Sequence, residues 1–239
     1  MKLTFLGTRG EIQARTREHR MHSSALVTDR RCRIMIDCGR DWLKRVTKMR
    51  LSAIFLTHAH SDHADGLKNG APCEVFATAE TWEKLRNFGI RSRSVVPPHE
   101  PIKIGELTFQ AFPVEHSLRA PAVGYRLASN NSSVFYVPDV ASIPELEQVL
   151  SGVSVYIGDG ATVRRSLIRQ RAGALIGHAP ITVQLQWCKQ ENVPRAFFTH
   201  CGSQIVNAGP KATAEEIRTL GHRLSIDAQI AHDGLEIAL

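Results

Sequence analysis

Apolar residues fall mainly in short runs that alternate with polar positions or fill every position for four or five residues, and helical spacing is confined to a few stretches between them. Met1 to Leu6 reads as a first strand and gives way to Gly7-Thr8-Arg9-Gly10, a turn whose glycines permit positive φ. Ala25 to Thr28 and Cys32 to Ile36 predict a hairpin around Asp29-Arg30-Arg31. Ala53 to Leu56 is a buried strand, Glu74 to Phe76 a short one, and Ala79 to Phe88 a helix with Trp82 and Leu85 on one face. From Pro101 to Leu127 alternation is strand-like but interrupted at Val114-Glu115-His116-Ser117, after which Val134 to Val137 and Val153 to Ile157 read as further strands. Later elements are a helix from Ile181 to Glu191, a strand at Ala196 to Phe198, and a helix from Ala214 to Leu220 with Thr213 and Glu216 at capping-box spacing. A strand region from Ala228 to Leu239 closes the chain. The halves are similar in strand and helix content without an internal repeat, and no low-complexity linker divides them, so one domain over 1–239 is expected.

The strand at Ala53 to Leu56 ends in Thr57-His58-Ala59-His60-Ser61-Asp62-His63, three histidines and an aspartate within six positions. That is a poor way to build a core and a good way to present metal ligands. His58 and His60, two residues apart on an extended segment, project to the same side. Asp62 and His63 begin the next turn and aim elsewhere, so the spacing supports two ions. Imidazole and carboxylate suit zinc, manganese or iron. Other strands stop in the same way, at His116, at Pro138-Asp139, at Gly158-Asp159-Gly160 and at Thr199-His200. For several of these a simpler role is open: Asp37 could cap a helix from Trp42 to Met49, Asp139 one from Ile143 to Leu150, and His178 the helix that begins at Ala179. Asp159 could be only a turn former, and His232 competes with His200 as the last ligand.

Composition narrows the setting. The 239 residues and 43% hydrophobic content allow one substantial core. Five scattered cysteines without a Cys-x-x-Cys pair argue against a disulfide framework and for a reducing, cytoplasmic compartment. The apolar start is too short for a secretory segment, and no stretch reaches membrane-spanning length, so no membrane association is expected. The net charge of +7 suits an anionic partner. Its excess lies in residues 9 to 22, with Arg9, Arg15, Arg17 and Arg20, and in residues 163 to 171, with Arg164, Arg165, Arg169 and Arg171. These segments are either solvated surfaces or, if folded over the metals, phosphate-recognition elements. Arg15, Arg17 and Arg20 are the candidates for clamping a phosphate, because guanidinium forks match its geometry.

His-x-His-x-Asp-His after an apolar strand resembles the signature of the metallo-β-lactamase superfamily. With Phe5-Leu6-Gly7-Thr8, Ser23-Ser24-Ala25, Asp37, His116, Asp139, Gly177-His178 and Thr199-His200, the chain is similar to the ribonuclease Z and cyclic-phosphodiesterase branch over nearly its whole length. The resemblance implies an α/β fold, a four-layer αββα sandwich of two mixed sheets packed face to face with helices outside. It further implies that His58, His60 and His116 hold one divalent ion and Asp62, His63 and His200 a second, with Asp139 bridging. Asp37 and Asp159 would stand behind these ligands. Two zinc ions are the first expectation, manganese or iron the alternatives, and a homodimer is the assembly common among family members. The implied activity is a metal-dependent phosphodiesterase or nuclease, in which a hydroxide between the ions, held with help from Asp62, attacks a phosphodiester and His178 assists. The substrate would be a nucleic acid or a small cyclic phosphate. A metallohydrolase acting on a thioester or other acyl substrate is the alternative. Departures from the branch matter too: the interval from His116 to Asp139 has no room for the long arm of tRNA-maturing members, and the basic N-terminal loop lacks the cysteines of the phosphonate-pathway phosphodiesterase.

Overall fold

The computed structural model describes residues 1–30, 32–129, 132–208 and 210–239, so Arg31 of the first hairpin turn lies outside the described residues. One seven-stranded sheet contains β1 (Lys2–Gly7), β2 (Ser24–Asp29), β3 (Cys32–Ile36), β4 (Ala53–Phe55), β5 (Glu74–Ala77) and β6 (Arg93–Val95). Its seventh strand comes from the end of the chain. The other seven-stranded sheet begins with β7 (Pro101–Ile104), β8 (Leu107–Val114), β9 (Ala122–Ser129), β10 (Ser132–Tyr136) and β11 (Val155–Asp159). A hairpin of β12 (Arg169–Arg171) and β13 (Ala174–Ile176) stands apart, and β14 (Arg195–Thr199) and β15 (Asp227–Ile230) complete the second sheet. The terminal β16 (Glu236–Ala238) crosses back to pair with β1, so the predicted closing region is two strands in different sheets.

Period-two alternation explains the layers. In β10, Val134 and Tyr136 enter the core between the sheets while Phe135 faces the other way; in β11, Val155 and Ile157 are split from Tyr156, and in β14, Phe197 from Ala196 and Phe198. The outward set packs against α3 (Leu146–Leu150), α4 (Ile181–Gln190), α5 (Ser203–Asn207) and α6 (Pro210–His222). In the first sheet Ile34, Ile36 and Phe55 face the shared core, whereas Met35, Ile54 and Val75 face outward to Trp82 and Leu85 of the α2 segment (Ala79–Lys84 and its cap). Three apolar clusters between four layers make the αββα sandwich. β3 to β6 and β10, β11, β14 and β15 run parallel, and such strands, covered on both faces, show the near-continuous apolar runs seen in the sequence.

Two local expectations are overturned. No helix forms at Trp42 to Met49; two single 3₁₀ turns, Arg40–Trp42 and Val46–Lys48, take its place. The last helix starts at Pro210, so Thr213 is interior rather than a cap, and Glu216 pairs with Arg164 at 2.7 Å. The helix at Ile143 to Leu150 is shortened to α3, and that at Ala79 to Phe88 to α2.

Candidate metal centre

Strand ends deliver the site. After β4 the chain stays extended through His58 and His60, then turns into α1 (Ser61–Ala64), a single turn that re-aims Asp62 and His63. His116 follows β8, Asp139 follows β10, Asp159 ends β11, and His200 follows β14. The carboxyl ends of parallel strands are where α/β sheets collect binding groups.

Three four-residue groups result among the described residues, with Asp139 common to all three: His58, His60, His116 and Asp139; Asp62, His63, Asp139 and His200; and Asp139, Asp159, His178 and His200. The first two are the sets expected from the sequence, and in the third Asp159 is taken up by His178 Nδ1 and two backbone amides. In the first, His58 Nε2 lies 2.9 Å from His60 Nδ1 and 3.3 Å from Asp139 Oδ2, and His116 Nε2 lies 3.3 Å from His60 Nδ1. In the second, His63 Nε2 is 3.4 Å from Asp62 and 3.0 Å from Asp139, and His200 Nε2 is 3.0 Å from Asp62. Donors about 2.0–2.2 Å from one tetrahedral ion are separated by such distances.

The hydrogen-bond pattern supports the same fit. His63 Nδ1 donates to Asp37 Oδ2 at 2.8 Å and His116 Nδ1 to the Gly177 carbonyl at 3.1 Å, which turns each Nε2 lone pair into the cluster. His58 Nδ1 donates to Thr57 Oγ1 at 3.0 Å, and that hydroxyl donates to Asp37, so Asp37 fixes a ligand in each group. His63 Nε2, Asp139 Oδ1 and His200 Nδ1 are buried without a hydrogen bond, although His200 Nδ1 stands only 2.8 Å from Asp139 Oδ1. Close, misdirected polar atoms of this kind fit a shared cation. Burial holds His58 and His116 below the usual histidine range and His60 down to about 4, so these three are neutral and ligand-ready. For Asp62, burial alone would raise the carboxyl, but His63 and His200 outweigh it and keep it ionised.

Asp37 is therefore no helix cap; it also accepts from the Thr57 amide at 2.8 Å and adopts a left-handed φ of 60°. His200 is left-handed too, at 52°. For residues other than glycine such backbone costs about 1–3 kcal/mol and persists where the surroundings impose it. Asp159 accepts His178 Nδ1 at 2.7 Å and the Val140 and Ala161 amides, tying His178 to the strand that ends in Asp139. Burial would lower His178, but the facing Asp159 carboxylate raises it above the ordinary range. His178 and His200 line a cleft of about 560 Å³ together with Arg165, Glu11 and Gln204. Arg15, Arg17 and Arg20 do not line it: Arg15 is held by Asp41 at 3.0 Å and the other two are exposed. His232 is exposed, with its Nδ1 3.1 Å from the Asp233 carbonyl, and stands outside both ligand groups.

Two residues essential to this arrangement escaped the sequence reading. Gln184, on the buried face of α4, accepts from the Asp159 amide and Tyr156 hydroxyl and donates to the Asp159 and Ala179 carbonyls. A glutamine on an otherwise apolar helical stripe was the available signal. Arg9, read from sequence as part of a basic segment that is either a solvated surface or a phosphate-recognition element, is 1% exposed and binds Asp41 at 2.7 Å, His22 Nε2 at 2.8 Å and the Arg20 and Ile12 carbonyls. It shapes the loop whose Gly10 lies against the His200 ring, where an added Cβ would come within 3.0 Å.

Residues 32–201 match the family described as the β-lactamase superfamily domain. The chain belongs to that superfamily. It is a metal-dependent hydrolase of this β-lactamase superfamily, and its ligand-bearing strand ends all lie within or at the edge of the matched segment. Its relatives include ribonuclease Z of Crocosphaera subtropica, 27% identical over 98% of this chain and 78% of the relative, and ribonuclease Z of Methanococcus maripaludis strain C6, 26% identical over 77% and 69%. Among solved structures, a diphosphatase of the PhnP family superposes with a TM-score of 0.76 at 20% identity, covering 100% of this chain and 97% of the other. Zinc-bound PqqB of Methylobacterium extorquens gives 0.77 at 17%, covering both chains fully (100% and 100%), and the human short-form tRNase Z 0.70 at 15%, covering 100% and 99%. At these identities the superpositions establish the sandwich fold. No helix of the described residues is long and apolar enough to cross a membrane.

Proposed function

We propose that the chain is a binuclear metal-dependent phosphodiesterase. The observation that carries this reading is Asp139 shared between two groups of ligands, with His178 held beside them by Asp159. Two divalent ions, zinc as the first expectation and manganese or iron as the alternatives, would supply Lewis acidity at phosphoryl oxygens and an activated water near neutral pH. His58, His60 and His116 would hold one ion and Asp62, His63 and His200 the other, with Asp139 available to both. Asp62 and Asp139 offset the charge of the pair, so that a monoanionic diester is still attracted.

His178 carries the proton. Its Nδ1 is committed to Asp159, leaving Nε2 for the cleft, and the carboxylate behind it raises the ring above the ordinary histidine value. It donates that proton to the leaving oxygen, a contribution of about 10²–10⁴ in rate. Arg165, which lines the same cleft, takes the place first given to Arg15, Arg17 and Arg20 in binding a non-reacting phosphate oxygen. The ribonuclease Z relatives favour a phosphodiester over a thioester or other acyl substrate.

The test is His178→Ala assayed on bis(p-nitrophenyl) phosphate, a thioester and a β-lactam alongside metal content. Diesterase turnover in the parent protein, reduced about 10²-fold or more in the variant with both ions retained, is the expected result. Turnover of only the acyl substrates overturns the phosphodiesterase reading, and loss of an ion in the variant makes His178 a ligand.

A further inference from the structure

A second cleft of about 330 Å³ adjoins the same ligands on the side of His60 and His116, and it is lined by Arg119 and Arg171 with Leu118 and Ile176. Neither arginine has an ion-pair partner among the described residues, in contrast to Arg164, which is taken up by Glu216. Two unpaired guanidiniums beside metal ligands serve no role in holding the ions. Positive charge there is repelled by the cations unless an anion lies between.

Both arginines stand on anchored backbone. Arg171 ends β12, and the following Ala172 and Gly173 have φ of 48° and 81°, the positive pair of a tight type I′ hairpin turn. The hairpin is tied to the site: the Leu175 amide donates to Glu115 Oε1 at 3.1 Å and the Gly177 amide to the His116 carbonyl at 2.8 Å. At Gly177, with φ of 103°, any Cβ would collide with the Leu167 carbonyl, so the hairpin base cannot shift freely. Arg119 sits in a loop curled by Ser117 Oγ, which accepts from the Arg119 and Ala120 amides at 3.3 Å each. On such supports the backbone adds little to the ordering cost when an anion binds, and what remains is the ordering of the two guanidinium side chains. Leu118, 48% exposed in the lining of the same cleft, offers an apolar surface for a sugar or base.

We propose that this cleft is a second anion subsite, in which Arg119 and Arg171 bind a phosphate next to the scissile one, so that the substrate is a phosphodiester carrying a neighbouring phosphate and not an isolated cyclic phosphate. The proposal rests on the phosphodiesterase reading above. The neighbouring group is either a terminal phosphate monoester or the next phosphodiester of a chain. Paired guanidinium forks match the oxygens of both.

Three 5′-p-nitrophenyl phosphate esters of thymidine separate the outcomes: one with a free 3′-hydroxyl, one with a 3′-phosphate, and one extended at 3′ by a second thymidine through a phosphodiester. The kcat/KM of the parent protein is expected to be about tenfold or more higher for one or both of the phosphate-bearing esters than for the free alcohol. In R119A/R171A that ratio falls to within about twofold of unity. Preference for the 3′-phosphate identifies a terminal monoester, and equal or greater preference for the extended ester a chain. Three equal values in the parent protein, or a preference that survives in the double variant, overturn the subsite while the phosphodiesterase reading stands. Turnover of none of the esters removes that reading and the subsite with it.

Discussion

Asp37 stands behind both groups of ligands: it receives His63 Nδ1 directly and reaches His58 through the Thr57 hydroxyl. Asp37→Asn keeps its size and loses the charge that orients both rings. Metal affinity in that variant is expected to fall by about 10–100-fold, read by competition with a chromogenic chelator, while the circular dichroism stays that of the parent. Unchanged affinity would separate Asp37 from metal binding. A second residue-scale prediction concerns His22, which burial, helped by Arg9, pushes down to about 4. Its unfolded value is about 6.5, so above that pH the neutral ring costs nothing. As pH falls from 6.5 towards 4 the unfolded chain takes up a proton that the folded one refuses, and stability drains away. Relative to His22→Asn, the parent should lose up to about 3 kcal/mol across that window in urea unfolding. A difference between the two proteins that does not change with pH would contradict this.

At the scale of elements, the site depends on how closely one turn passes under another. Gly39 lies against α1 so tightly that a Cβ would come 1.9 Å from the Asp62 carbonyl oxygen. Gly39→Ala must therefore push away the turn that carries Asp62 and His63. A stability loss of about 1–3 kcal/mol is expected, with ion content falling from two to one because His58, His60 and His116 lie outside the displaced turn. Retention of both ions at full affinity would show that α1 adapts. The strands were legible because their apolar residues alternate or run together: β4, β10 and β14 were all readable from that rule. The 3₁₀ turns after Gly39 were not, because Trp42 and Val46 carry helical spacing whatever the backbone does, and the Lys44 φ of 65° that interrupts it leaves no mark in the residue type. The β12–β13 hairpin was not foreseen: Ala174 to Ile176 is only three apolar residues long, and its polar partner, Arg169 to Arg171, has no apolar face to announce a strand.

For the whole molecule, the cluster from His58 to His63 could be nominated from sequence because it cuts off a buried apolar strand, whereas His116 and Asp139 needed the family resemblance, since a lone histidine or aspartate at a strand end has simpler uses. What assembles them is less visible. Gln184 and Arg9 act through buried hydrogen bonds across long stretches of chain, and nothing local distinguishes a buried arginine neutralised by Asp41 from a solvated one. The sandwich supplies the convergence: its parallel strands all end on one edge, and β16 closes the first sheet after β15 has closed the second. The proposed chemistry requires two cations held through one shared carboxylate. Crystals of protein supplemented with zinc, measured on both sides of the zinc absorption edge, test that most directly. Two anomalous peaks per chain are predicted, one within His58, His60, His116 and Asp139 and the other within Asp62, His63, Asp139 and His200. A single peak away from Asp139, or none in either group, would contradict it.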